Sequence, residues 1–183
     1  EDAAYAYNLE NGALFRIWRG GFLDATPMWN NRGDGSARPL GSALTLGDYP
    51  ALAPLESGTA PWPATAPEIR PRGYRLDADG VPTYHYEVAG TAVEDRIDAS
   101  DDGRRLQRTL RFPDGAASNL YLRLAAGNAI DALPDNRYAV DREYYIVLPE
   151  KSKVEPQLRR RDGRQELLLP VGAHPEVRYN IEW

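Results

Sequence analysis

Residues able to bind a ligand stand close together in the N-terminal third of the chain. Asp24 and Arg32 lie eight positions apart, with Trp29 between them. An indole ring can cover the apolar face of a sugar while a carboxylate and a guanidinium hydrogen-bond its hydroxyls. We therefore predict that Asp24, Trp29 and Arg32 bind a ligand. The alternative is that Asp24 and Arg32 form a structural ion pair that fixes a loop.

His85 is the fourth candidate, in the run "TYHYEV". Side chains alternate along a strand, so His85 points away from its neighbours Tyr84 and Tyr86. Either it belongs to the ligand site, or it is a strand histidine without a chemical role. In a sugar-acting enzyme, Asp24 or His85 would supply the acid or base and Arg32 would orient the substrate.

Several kinds of site have no sequence support. The chain has no cysteine, which excludes disulfides, thiolate metal sites, cysteine nucleophiles and covalent c-type haem. It also lacks a zincin pair, a nucleophile elbow, a P-loop and a dinucleotide fingerprint. The run "DASDDG", residues 98–103, lacks the full calcium-loop frame and predicts a hairpin turn instead. We predict no metal and no cofactor.

Charge and chain start bear on partners and location. The net charge of −5 argues against nucleic acid and anionic membranes as partners. Basic runs occur locally, as "RRLQRTLR" and "RRRDGR", each beside aspartates. No apolar run is long enough for a membrane span. The chain starts at Glu1 and its only methionine is Met28, which leads us to expect a processed or excised chain, periplasmic or extracellular.

The elements that must position these residues are strands. Leu106, Arg108 and Leu110 alternate with polar residues, and similar runs recur along the chain, separated by Asp-Gly turns. In the strand after Asn11-Gly12, Leu14, Arg16 and Trp18 are predicted on one face, with Phe15 and Ile17 on the other. We predict a single all-β domain: a large antiparallel β-sandwich of about 12–14 strands, a supersandwich of the mutarotase-like type being one form.

Residues 49–72 differ from the rest and are called the Pro-rich segment. They hold six prolines and a central tryptophan: Pro50, Pro54, Pro61, Pro63, Pro67, Pro71 and Trp62. Proline removes a ladder donor, so these residues cannot form central strands. We predict an ordered but irregular surface excursion that Trp62 anchors to the sheet.

Three longer stretches carry a family resemblance: "YNLENGALFRIWRGGFLDATPMWNNRGDGSARPLGS", "RGYRLDADGVPTYHYEVAGTAVEDRI" and "DDGRRLQRTLRF". Their turns and aromatics resemble a β-rich accessory domain of bacterial exported multidomain proteins, which also carry c-type cytochrome or sugar-dehydrogenase-like modules. The resemblance implies an accessory role in a redox or carbohydrate-handling protein. Because this chain has no Cys-x-x-Cys-His, any haem would belong to another domain or subunit.

Taken together, the sequence predicts a non-catalytic binding or assembly module of an exported protein, with carbohydrate as the ligand. Its partner is a carbohydrate, or another domain or subunit of such a protein. Two alternatives remain: the sugar-acting enzyme described above, and a structural subunit that packs against a c-type cytochrome or against itself.

Overall fold

The computed structural model describes residues 2–29, 35–65, 67–150, 155–172 and 174–183. Strands make up 56% of the protein and helix 2%, which confirms the predicted all-β fold. The one helix of the described residues, Thr26–Trp29, has four residues. No helix in the described part of the chain is long and apolar enough to cross a membrane.

The elements follow one another in this order: β1 Ala3–Asn8, β2 Ala13–Arg19, β3 Gly21–Asp24, α1 Thr26–Trp29, β4 Arg38–Leu40, β5 Ala43–Thr45, β6 Leu52–Pro54, β7 Ile69–Leu76, β8 Pro82–Val88, β9 Thr91–Ala99, β10 Arg105–Arg111, β11 Leu120–Gly127, β12 Ile130–Leu133, β13 Arg137–Val140, β14 Tyr144–Val147, β15 Gln157–Arg161, β16 Arg164–Pro170 and β17 Glu176–Glu182. These strands outnumber the expected 12–14 because several have only three or four residues, too few for a readable alternation.

The strands form four antiparallel sheets. The largest has the order β12-β13-β14-β17-β10-β9-β8-β7, and the second has the order β15-β16-β11-β6. A three-stranded sheet, β1-β2-β5, and a two-stranded ribbon, β3-β4, complete the described fold. Each described strand pairs antiparallel with its neighbours.

One hydrophobic core joins the three larger sheets. Leu110 of β10, Leu122 of β11 and Ile17 of β2 are all fully buried members of it. The alternation predicted for β10 is observed, since Leu106 and Leu110 both face this core. Burial of apolar side chains between facing sheets is the arrangement of a β-sandwich.

The face assignment predicted for β2 is wrong. Leu14 pairs with Tyr7 and Arg16 pairs with Ala6, so Phe15 is an extra residue opposite no partner. Such a bulge reverses the alternation beyond it. Leu14 and Ile17 therefore share the core face that was assigned to Leu14 and Arg16.

The Pro-rich segment is anchored by Trp62, as predicted. Trp62 is 9% exposed and packs with Ala53, Leu55 and Leu168 in a second, smaller cluster. The segment is less irregular than expected, because it contains β6 and the first residues of β7. Both are edge strands of their sheets. An edge strand has a neighbour on one side only, so it tolerates the missing N–H of Pro54 and Pro71.

Candidate functional site

Asp24, the first predicted site residue, ends β3 and caps the short helix. Its Oδ1 accepts a hydrogen bond of 2.9 Å from the backbone N of Thr26. The hydrogen bonds from Thr26 hold the pKa of Asp24 below its usual value. In the described part of the chain, Asp24 thus serves the turn into α1.

Trp29 lies at the end of α1 with 84% of its surface exposed. Arg32 lies outside the described residues, so both its part in the predicted ligand site and the alternative ion pair with Asp24 stay predictions. Other large apolar side chains near Trp29 in the chain are also exposed: Phe22, Met28 and Leu40. We call these four residues the apolar set of the β3–β4 ribbon.

His85 lies on β8 in the eight-stranded sheet, whereas Asp24 belongs to the two-stranded ribbon. Its Nδ1 is 3.9 Å from Oε1 of Glu94 on the neighbouring strand. Its Nε2 is buried and has no partner among the described residues. No hydrogen bond or ion pair between described residues joins His85 to Asp24 or Trp29, so their common site stays a prediction.

A group of polar side chains that was not predicted lies inside the sandwich: Tyr7, Tyr86, Asp95, Arg108 and Tyr179, here called the buried network. Arg108 is 3% exposed and Asp95 is 0% exposed. The register aligns Leu110 with Asp95 and Arg108 with Tyr179, so three adjacent strands turn these groups toward the core.

The buried network is closed. Arg108 donates from Nε to Oδ1 of Asp95 at 2.9 Å and from Nη2 to the carbonyl O of Gly12 at 2.7 Å. Tyr7 donates to Oδ2 of Asp95 at 2.8 Å, and Nη1 of Arg108 contacts the Tyr179 hydroxyl at 3.4 Å. Burial raises the pKa of Tyr7 well above its usual value. Each nitrogen of Arg108 has a partner inside the protein, which is typical of a structural cluster.

A second polar cluster opens to the surface, in a cleft of about 470 Å³ that we call the groove. It is lined by Asn11, Asp48, Tyr49, Pro50, Pro61, Trp62, Pro63, Ala64, Arg123, Ala126, Arg161, Asp162, Arg164 and Glu166. Ligand sites of proteins are concave and combine apolar rings with a few set polar groups. The groove has that composition.

The floor of the groove is the outer face of the four-stranded sheet. On β16, Glu166 lies opposite Ala126 of β11 and opposite Arg159 of β15. A bulge in β11 between Arg123 and Ala125 brings both Arg123 and Ala126 to this face. Because of this bulge, β11 buries apolar side chains on its core face and presents Arg123 on its outer face, next to Glu166 of β16.

One side of the groove is the Pro-rich segment. Trp62 holds it against the sheet, and Nη1 of Arg159 donates to the carbonyl O of Gly58 at 2.7 Å and to that of Ala60. Because backbone carbonyls receive these charged donors, the segment is fixed without regular secondary structure.

Arg123 lines the groove with 10% of its side chain exposed. Its guanidinium carbon lies 3.9 Å from the ring centre of Tyr49 and 4.6 Å from that of Trp62. Nη1 donates to Oε1 of Glu166 at 2.7 Å. Burial lowers the pKa of Arg123 from its usual value, although Glu166 acts in the opposite direction. Two rings and a carboxylate thus set the orientation of this side chain.

Glu166 receives two arginines. Besides Arg123, Arg159 donates to its Oε2 from Nε at 2.9 Å and from Nη2 at 2.6 Å. Burial alone would raise the pKa of Glu166, but these hydrogen bonds outweigh it and hold the pKa below its usual value. Glu166 is therefore a carboxylate at neutral pH, and both of its oxygens accept hydrogen bonds.

Sequence reasoning did not identify the groove as a site. Two of its signals were visible: the tryptophan among six prolines, and the basic run "RRRDGR", which holds Arg161, Asp162 and Arg164. What the sequence could not supply was the pairing of β11 with β16, which brings Arg123 to Glu166.

No known protein family, no curated protein and no solved structure matches this chain. Among the described residues, no group of three His, Cys, Asp or Glu side chains is arranged to hold a metal ion.

Proposed function

We propose that this chain is a non-catalytic carbohydrate-binding module and that the groove is its ligand site. One observation carries the proposal: two aromatic side chains, Tyr49 and Trp62, converge with set polar groups in a cleft of about 470 Å³. That volume lies within the range of roughly 300–1,000 Å³ of small-molecule sites. Its setting in an exported protein, periplasmic or extracellular, rests on the sequence resemblance.

The polar groups of the groove are fixed in position before any ligand arrives. Asp48 accepts hydrogen bonds at Oδ1 from Nδ2 of Asn8 at 2.9 Å and from Nδ2 of Asn11 at 2.8 Å. Arg123 is held by Tyr49, Trp62 and Glu166. Such preorganisation favours binding, since less side-chain freedom is lost when a sugar is bound.

The same contacts disfavour a catalytic role. A glycoside-cleaving pair needs one carboxylic acid that is protonated at working pH. Glu166 accepts hydrogen bonds from both Arg123 and Arg159, and its pKa lies below the usual value. Glu166 is therefore unsuited to donate that proton in the groove, and the sugar-acting enzyme that would use Asp24 or His85 stays a prediction.

A variant that fills the groove tests the proposal. Ala126 is half-buried on the groove floor. The larger side chain of Ala126→Trp should fill the groove and weaken binding of soluble oligosaccharides about tenfold or more, which corresponds to the loss of one good contact. Ala132→Trp, the same change on exposed β12, is the matched control and should bind as wild type. Titration calorimetry with cellotetraose, xylotetraose and tetragalacturonic acid provides the measurement.

A third variant separates the groove from the N-terminal candidates. Trp29→Ala should leave sugar binding unchanged. Loss of binding in Trp29→Ala with full binding in Ala126→Trp would move the site to Asp24 and Trp29. Absence of binding to every sugar in a broad oligosaccharide panel would overturn the function itself.

The second candidate function is assembly with another domain or subunit of an exported protein, such as a c-type cytochrome. The observation that favours it is the apolar set of the β3–β4 ribbon, in which Phe22 is 69% and Trp29 is 84% exposed. Exposed apolar side chains that form a contiguous patch are typical of contact surfaces, and these four come from one stretch of the chain, residues 22–40. If the chain self-associates through this surface, the Phe22→Ser, Trp29→Ser double variant should sediment as a smaller species than wild type. Unchanged sedimentation would show that the chain does not use this surface to self-associate.

A further inference from the structure

We infer that the groove selects acidic sugars, whose carboxylate binds between Arg123 and Arg164. This inference rests on the proposed function and names the class of ligand for the same site. Its basis is the set of buried hydrogen-bond donors in the groove that have no partner among the described residues.

The buried polar atoms of the groove that lack a partner among the described residues are donors. Nε of Arg123 and Nε1 of Trp62 are buried without a partner among the described residues. Arg164 is exposed, and within the described residues its Nη2 makes one long contact, of 3.5 Å, to the carbonyl O of Ala126. An unpaired donor in a desolvated place costs free energy, which an acceptor from a ligand removes.

The inner carboxylate of the groove is already occupied. Glu166 accepts from Arg123 and from two nitrogens of Arg159, so it has little capacity left for sugar hydroxyls. Asp162 is 92% exposed on its hairpin turn and lies 3.7 Å from Nε of Arg161. A water-exposed pair at that distance is weak, and Nη1 of Arg161 also donates to the carbonyl O of Thr59 at 3.3 Å.

Arginine suits this ligand class for a geometric reason. A planar guanidinium presents parallel N–H groups that match the two oxygens of a carboxylate. Arg123 and Arg164 stand on neighbouring strands of the four-stranded sheet, β11 and β16, on either side of Ala126 in the groove lining. A uronate offers a carboxylate for these donors and a ring for the apolar surface of Pro61 and Pro63.

The test uses two ligands with the same sugar backbone, of which only the first is charged: tetragalacturonic acid and its fully methyl-esterified form. Wild-type protein should bind the acid about tenfold more tightly than the ester at low salt, the ratio expected for one charge-assisted hydrogen bond. Added salt should reduce that ratio. Calorimetry measures both affinities in the same buffer.

Two charge-matched variants localise the effect. Arg164→Gln should lower affinity for the acid about five- to tenfold, as expected for one charge-assisted contact, and leave the ester unchanged. Arg70→Gln removes another exposed arginine, from β7 outside the groove, and should change neither affinity. Since both side chains are exposed, neither change should unfold the protein.

The outcomes separate the two proposals. Equal affinity for acid and ester overturns the acidic-sugar inference and leaves carbohydrate binding standing, as does binding of cellotetraose without binding of the acid. Equal weakening by Arg164→Gln and Arg70→Gln also overturns the inference, because it shows attraction to charge in general. Binding of no sugar at all overturns the proposed function.

Discussion

Arg108 and Arg123 are both paired with a carboxylate and flanked by aromatic side chains, but their surroundings differ. Arg108 lies between the sheets, and each of its nitrogens has a partner in the buried network. Arg123 lies on the outer face of the four-stranded sheet, where its Nε has no partner among the described residues. The same chemical groups thus make a structural cluster when sealed and a candidate ligand site when a groove reaches them.

The largest expected effect comes from breaking the sealed pair. Arg108→Met leaves Asp95 as an unpaired charge at 0% exposure, so we expect the free energy of unfolding to fall by about 3–5 kcal/mol. The double variant Arg108→Met, Asp95→Leu removes the buried charge and should recover much of that loss. Urea unfolding measures both. A loss below about 1 kcal/mol in the single variant would show that the pair is not isolated from water.

The open cluster should respond less to the same change. Arg123→Met leaves Glu166 with Arg159 as a partner, so we expect a loss of about 1–3 kcal/mol, the range for a hydrogen bond to a charged group. If Arg123→Met destabilised the protein as much as Arg108→Met, the distinction between sealed and open clusters would be wrong. Urea unfolding under identical conditions allows the comparison.

Glu166→Gln should loosen the side of the groove. The neutral amide holds Arg159 less firmly, and Arg159 in turn donates to the carbonyls of Gly58 and Ala60. We expect about 1–2 kcal/mol less stability and faster proteolysis within the Pro-rich segment. Glu68→Gln, on an exposed glutamate, is the control and should change neither quantity. Unchanged cleavage in Glu166→Gln would mean that Trp62 alone holds the segment.

The two clusters should lose stability at opposite ends of the pH scale. The pKa of Glu166 is lowered in the fold, so its contribution is present above the unfolded value, about 4.3, and is lost as pH falls below it. The pKa of Tyr7 is raised in the fold, so its contribution is present below about pH 10 and is lost as pH rises further.

Variants identify the group behind each limb of that pH profile. Glu166→Gln should flatten the fall in stability between about pH 5 and pH 3, and Tyr7→Phe should reduce the fall above about pH 10. Urea unfolding at a series of pH values provides both curves. If Glu166→Gln left the acid limb unchanged, another carboxylate would be responsible for it.

The smallest expected effect concerns Asp48. It lines the groove, is exposed and carries a charge that repels an acidic ligand. Asp48→Asn keeps an oxygen for Asn8 and Asn11, so stability should change by less than about 0.5 kcal/mol. Affinity for tetragalacturonic acid should rise about two- to threefold, as expected for removing an exposed like charge. A fall in that affinity would mean that Asp48 binds the sugar directly.

Local patterns predicted much of the fold. The Asp-Gly turn at Asp102 joins β9 to β10 as expected, with Oδ1 of Asp102 accepting from Ser100 and Arg104. The alternation of Leu106, Arg108 and Leu110 predicted the strand β10, but not that Arg108 lies buried in a polar network. The bulge at Phe15 could not be predicted, because one extra residue reverses the faces of a strand without changing its composition.

The candidate site was harder to predict than the fold. Trp62 was correctly expected to anchor the Pro-rich segment, yet its neighbours in the groove come from distant strands. Arg123 meets Glu166 only because β11 pairs with β16 and a bulge turns it outward. Asp24, Trp29 and His85 were selected by residue type and spacing, and such a choice cannot include register or burial.

An NMR titration tests the central claim most directly, that the groove is the ligand site. Amide shifts of ¹⁵N-labelled protein are followed as tetragalacturonic acid is added. We predict that the shifts concentrate at Asp48–Tyr49, Arg123–Ala126 and Arg161–Glu166, with Asp24, Trp29 and His85 unaffected. Saturable shifts confined to Asp24, Trp29 and His85, with the groove residues unchanged, would contradict it.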